Sequence, residues 1–153
     1  MKVRDLLAKG THELVTVWPT DKIPKVASVL AEHNIGAVPI LDGDRTLLGI
    51  LSERDISRAV ARYGEKVVEL RAADIMTSDV ATCSPQDPVK SAIELMQKHH
   101  IRHLPVIEGA RELIAVLSIR DALAGLLEEY REEAALLRER AAVSRLRTMQ
   151  PPE

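Results

Sequence analysis

The feature that most restricts what this chain can become is that it is written twice. Shifted by 66 positions, Val15–Ile56 falls on Ala81–Ala122 without a gap, and 13 of the 42 pairs are identical. Ordinary residue usage would give roughly three. The identities include Pro19 with Pro85, His33 with His99, Pro39 with Pro105, and Leu51-Ser52 and Arg54-Asp55 with Leu117-Ser118 and Arg120-Asp121. Most other pairs exchange one apolar residue for another. A unit this small buries too little surface alone, so two copies are expected to share a core.

Each copy reads as β-α-β-β-α after a short helical lead-in, RDLLAK in the first and AADIMT in the second. Glu13–Val17 and Val80–Cys83 read as short strands. Asp21 and Asp87 stand where a carboxylate would cap a helix, and Pro88 follows where its missing amide costs nothing. Ile23, Val26, Ala27 and Leu30, and then Val89, Ala92, Ile93 and Met96, are spaced at helical intervals. AVPIL and HLPVI, a Gly-containing turn, and LLGILS or LIAVLS predict a hairpin in each copy. A second helix opens at Ser52 and at Ser118. The expected fold is therefore mixed α and β, with two repeats packed sheet to sheet about a pseudo-two-fold axis. The divisions are 1–66, 67–125 and a C-terminal helix with tail over 126–153.

After Asp121, Leu123, Leu126 or Leu127, Tyr130, Ala134, Leu137 and Ala141 form a helical stripe. Glu residues come early and Arg residues late, as a helix dipole favours. The helix is expected to run to about Thr148, before Gln-Pro-Pro. Its stripe outlasts what a small module needs and reads either as a partner or dimer surface or as a helix folded back on its own domain.

Composition narrows the function classes. With 46% hydrophobic residues, no Phe, one Trp and two Tyr, the core must be Leu, Ile, Val and Ala. A net charge of −2 and so few rings lack the footprint of a nucleic-acid binder. Cys83 stands alone, excluding an internal disulfide or a cysteine metal cage. No apolar run approaches the ~20 residues of a membrane span, and the start lacks a signal peptide's pattern, so a cytoplasmic protein is expected. His99, His100 and His103 have no acidic or cysteine partner at ligand spacing. They read as helix-end and loop residues.

The chemistry concentrates in Ser52-Glu53-Arg54-Asp55 and Ser118-Ile119-Arg120-Asp121, each at a strand-to-helix junction. Ser-x-x-Asp is a capping-box pattern in its own right. The same junction offers free helix amides to phosphate, with a hydroxyl, a guanidinium and a carboxylate beside it for a phosphorylated ribose. Neither serine has a placed general base, so nucleophilic catalysis is not expected.

With those strings, and with His33-Asn34-Ile35-Gly36-Ala37-Val38-Pro39-Ile40, His99-His100-Ile101-Arg102-His103-Leu104-Pro105-Val106 and Asp74-Ile75-Met76-Thr77, residues 1–125 resemble paired cystathionine-β-synthase-type (CBS) domains, or Bateman modules. The layout is similar to that of small bacterial CBS-pair signal-transduction proteins. The resemblance implies clefts for adenosyl ligands, with AMP foremost and ADP, ATP, NAD or S-adenosylmethionine as others. It implies no required cofactor, no metal and no enzymatic activity. Asp55 and Asp121 would hold ribose hydroxyls. Ser52, Arg54, Ser118 and Arg120 would lie beside ribose and phosphate. Thr16, Val17, Gly36, Ala37, Val38 and Pro39, and in the copy Thr82, Cys83, Arg102, His103, Leu104 and Pro105, would border adenine or phosphates. The acid of one repeat would face the adenine edge of the other. The resemblance also implies a homodimer acting on an unidentified protein effector, without nucleic acid or membrane. Ala115 in place of Gly49 is a departure expected to narrow the second cleft. The alternative is a dimeric structural protein with empty clefts.

Overall fold

A computed structural model describes residues 1–10 and 13–149. The order is α1 (Val3–Ala8), α2 (Ile23–His33), β1 (Ala37–Leu41), β2 (Leu47–Ser52), α3 (Glu53–Tyr63), a 3-10 turn (Gly64–Glu69), α4 (Ala72–Ile75), α5 (Val89–Lys98), β3 (His103–Glu108), β4 (Glu112–Ser118) and α6 (Ile119–Thr148). The repeat is visible in the pairing. In the first hairpin Ala37 lies opposite Ser52 and Ile40 opposite Gly49. In the second, His103 lies opposite Ser118 and Val106 opposite Ala115. Both hairpins bulge at the same relative position, and both turns hold an arginine, Arg45 or Arg111, at positive φ.

The expected opening strands are shorter than the sequence implies. Val17 and Cys83 each make a single parallel bridge, to Ile40 and Val106. Each donates its amide to a proline carbonyl, Pro39 or Pro105. Pro19 and Pro85, two residues on, lack the amide a longer strand would need. The caps also differ from expectation. Lys22 and Pro88 occupy the cap positions of α2 and α5, so Pro88 precedes the first helical residue. The carboxylates of Asp21 and Asp87 instead accept the amides of Trp18 and Ser84, three residues back, closing the turn before each helix. Burial works against the charged form of Asp21, but the Trp18 amide and Lys25 outweigh it and hold its carboxyl below the usual value.

Among the described residues, three apolar clusters hold the fold together. One gathers Val26, Leu30, Val38, Ile40 and Leu51 of the first repeat. Its counterpart gathers Ala92, Met96, Leu104, Val106 and Leu117 of the second. The lead-in helices are exchanged: Val3 of α1 is buried in the second repeat's cluster, and Ala72 of α4 in the first's. Backbone bonds fix the exchange, from the amide of Val3 to the Asp87 carbonyl and from Ala72 to that of Asp21. The third cluster, Leu41, Leu47 and Leu113, joins the repeats. There the hairpin tips bond across the pseudo-axis, with the Leu47 amide on the Arg111 carbonyl and the Leu113 amide on that of Arg45.

Gly49 has a packing reason. A Cβ there would lie 2.7 Å from the Thr77 carbonyl oxygen. The segment after α4 crosses at that point, with Ile50 and Thr77 exchanging both backbone bonds. The helix α6 is continuous to Thr148, as expected, and Gln150-Pro151-Pro152 lies outside the described residues. Among the described residues no helix is long and apolar enough to cross a membrane.

Candidate functional site

Two clefts open between the repeats. The first, about 720 Å³, combines Ser52, Glu53, Arg54, Asp55 and Arg58 at the start of α3 with Asp79–Ala81 and His99–His103 of the second repeat. The second, about 590 Å³, combines Ser118–Asp121 at the start of α6 with Glu13–Val15 and Asn34–Ala37 of the first. Both volumes lie within the usual range for small-ligand pockets. The acid of each repeat faces the other repeat's loop, the crossed arrangement expected above.

Gly36, Ala37, Arg102 and His103 line both clefts and form the wall between them. A Cβ on Gly36 would stand 2.9 Å from His103 Cε1, so the missing side chain makes room for the imidazole. Burial lowers the His103 pKa below its ordinary value. Glu53 opposes that shift and Arg102 adds to it.

The two helix starts are not alike. Ser52 Oγ accepts the Asp55 amide at 3.2 Å, and Asp55 Oδ2 accepts the Ser52 amide at 2.9 Å and its hydroxyl at 3.0 Å. That is a complete capping box. Ser118 Oγ accepts the Asp121 amide at 3.0 Å, but the return bond from Asp121 is absent. Charge also differs. The first cleft gathers Arg54, Arg58, Arg102, His99, His100 and His103 around Glu53, Asp55 and Asp79. The second has Arg102, Arg120 and His103 against Glu13 and Asp121.

Of the residues expected to border ligand, Gly36, Ala37, Pro39, Ser52, Arg54, Asp55, Arg102, His103, Ser118, Arg120 and Asp121 lie in the cleft walls. Thr16, Val17, Val38, Thr82, Cys83, Leu104 and Pro105 are not part of them. Val17, Val38, Cys83 and Leu104 are buried in the repeat cores, because alternate residues of an extended segment face opposite ways. Burial, with Asp87 adding to it, pushes the Cys83 thiol up to about 12. The walls use Leu14, Val15, Val80 and Ala81 instead. Arg58 also went unnoticed in the sequence, although it lies one helical turn beyond Arg54 on the same face. Ala115 lines the second cleft as expected, whereas Gly49 answers to Thr77 and does not line the first. The histidines form no cluster: no group of three or more His, Cys, Asp or Glu able to hold a metal occurs among the described residues.

The CBS domain model matches residues 3–62 and 72–128, and the chain belongs to the CBS domain family. It is 30% identical over 121 residues to an uncharacterised 17.7 kDa protein of Acidianus ambivalens, covering 79% of this chain and 72% of that protein. It is 29% identical over 111 residues to an inosine-5'-monophosphate dehydrogenase of Methanocaldococcus jannaschii, covering 72% of this chain but 21% of the enzyme. Among solved structures, a CBS-domain-containing protein of Agrobacterium tumefaciens superimposes with a TM-score of 0.77 at 35% identity, covering 82% of this chain and 98% of that one. A CBS domain protein of Pyrobaculum aerophilum complexed with AMP gives 0.70 at 35% identity, with 79% and 89% covered. The CBS domain pair of protein MJ0100, in complex with 5'-methylthioadenosine and S-adenosylmethionine, gives 0.69 at 25% identity, with 85% and 98% covered. The layout of exchanged lead-ins and paired hairpins is thus that of a tandem CBS pair.

Proposed function

We propose that this chain is a regulatory module that binds adenosine nucleotides in its two clefts and relays their occupancy to another protein. One observation carries the reading: the same Ser-x-Arg-Asp junction stands at each cleft and faces the opposite repeat. A ligand spanning a cleft therefore touches both halves. It favours whichever relative arrangement of the repeats it fits best, which is how binding energy becomes a signal. Asp55 and Asp121 accept the ribose hydroxyls. Arg54, Arg58 and Arg102 in one cleft, and Arg120 and Arg102 in the other, meet phosphate. AMP is the first candidate, supported by the AMP complex of the Pyrobaculum protein. S-adenosylmethionine follows from the MJ0100 complex. No cofactor is needed for binding, and the module works as a homodimer in the cytoplasm.

A thermal-shift series with AMP, ATP, NAD and S-adenosylmethionine tests the reading, and raised melting temperature with at least one of them is expected. Hydrogen bonds to a charged group contribute roughly 1.5–3 kcal/mol, so Asp→Ala at either position weakens binding in its cleft at least tenfold.

A second reading, a structural dimer with empty clefts, draws on the complete capping box at Ser52. That box accounts for Asp55 without any ligand. No such account covers Asp121.

A further inference from the structure

The helix α6 is anchored over its first third, where the Glu129 carboxylate also takes the amino terminus of Met1 at 2.8 Å. Ala122 and Gly125 are buried and Leu126 packs on the second repeat's core, but from Arg131 to Met149 every residue except Ala134 is exposed. A solvated helix would be polar all round, and this one is not. Leu123, Leu127, Tyr130 and Leu137 are 49%, 51%, 53% and 57% exposed. With Ala134 and Ala141 they recur at alternating steps of four and three, the spacing of a two-helix coiled-coil seam ~27 Å long.

Two properties of the seam say what covers it. Glu128–Glu133 carries four Glu and one Arg, a net −3, and Arg138–Arg147 carries four Arg and one Glu, a net +3. A second copy running antiparallel lays each half on its opposite, whereas a parallel copy lays half on like half, with Glu133 beside Arg138 of the partner subunit as its one opposite-charge flank. The seam also alternates in size. Antiparallel pairing centred between Ala134 and Leu137 sets Tyr130 against Ala141 and Leu137 against Ala134. Parallel pairing sets ring on ring and leaves alanine facing alanine.

We propose that this face is a self-association surface on which two copies pair their α6 helices antiparallel. Glu133 then lies across from Arg140 of the partner subunit, twice by symmetry. Arg131 and Arg138 of the partner subunit also face each other, likewise twice by symmetry. The pairing stands apart from the nucleotide reading, because neither cleft is lined by a residue beyond Asp121.

Sedimentation equilibrium on the full chain, followed by a seam variant, a charge reversal with its rescue, and a spin-label distance, tests it. The wild type is dimeric and Leu137→Glu is monomeric. Glu133→Arg weakens the dimer by about tenfold, and adding Arg140→Glu restores it. These residues are exposed, so circular dichroism should be unchanged. If Leu137→Glu disturbs the fold, the charge swap decides. Labels placed by Arg147→Cys lie ~35 Å apart in the antiparallel pair and under ~20 Å in a parallel one. A monomeric wild type, a dimer indifferent to both variants, or the short distance would each overturn the proposal. Nucleotide affinity, measured on the same variants, stays unchanged if the two readings are independent.

Discussion

The two clefts share a blueprint and differ in the state of one carboxylate. At the first, Asp55 closes a reciprocal capping box with Ser52, so part of its hydrogen-bonding capacity already serves the fold. At the second, Asp121 donates its amide to Ser118 Oγ, its carboxylate makes no bond back to Ser118, and the residue lines the cleft. The surroundings differ in step. Six cationic or titratable basic side chains line the first cleft and three the second, two of them shared in the common wall. A duplicated sequence has thus produced one cleft that is more basic and tightly capped, and one that is smaller with its acid uncommitted. Equal motifs do not make equal sites, because each motif is completed by the other repeat's loop, Asn34–Ala37 or His100–His103.

The largest effect that would separate the copies concerns the backbone beside the clefts. Gly49→Val drives a side chain into the Thr77 carbonyl and should cost about 1–3 kcal/mol of stability. Ala115→Val at the matching site, which already holds a Cβ packed in the second repeat's core at the edge of its cleft, should cost less while lowering ligand affinity there. Urea unfolding of the two variants makes the comparison, and equal losses would erase the distinction drawn between these positions.

Asp55→Ala should act twice, weakening binding in its cleft at least tenfold and removing the return half of the capping box, a hydrogen bond worth about 1 kcal/mol. Asp121→Ala should weaken binding in its own cleft with little change in melting temperature. Scanning calorimetry beside a ligand titration tells the two apart; a matching drop in melting temperature for Asp121→Ala would show the second box to be closed as well.

The smallest effect lies in the shared wall. Because burial lowers the His103 pKa, the unfolded chain binds more protons there than the folded one at pH values just below 6.5. Stability should therefore fall as pH drops through 6.5 toward the lowered value, and be retained above it. His103→Gln should flatten that part of the profile, and an unchanged slope would remove His103 as its source.

Much of this was legible in the sequence because duplication is a signal that periodicity alone lacks. The 66-residue register located both hairpins, and it marked both helix starts as candidate sites once Ser52 and Asp55 recurred as Ser118 and Asp121. What it could not carry was long-range. Nothing in RDLLAK or AADIMT says that each lead-in packs on the other repeat, since both are short apolar stretches that fit either core. The reason for Gly49 was hidden likewise, being a contact with Thr77 that only the crossing of the chain creates. Thr16, Val17, Thr82 and Cys83 were one or two residues off the cleft walls, because a segment making a single bridge leaves its register to the fold. Asp21 and Asp87 read as helix caps, but each lies one residue before the cap and its carboxylate closes the preceding turn instead.

The central claim is that each acid holds ligand in a cleft built from both repeats. Isothermal titration of AMP into the wild type, Asp55→Ala and Asp121→Ala tests it most directly. Each substitution should weaken AMP at its own cleft at least tenfold, and the two together should abolish measurable binding. AMP affinity unchanged in both single variants would contradict it.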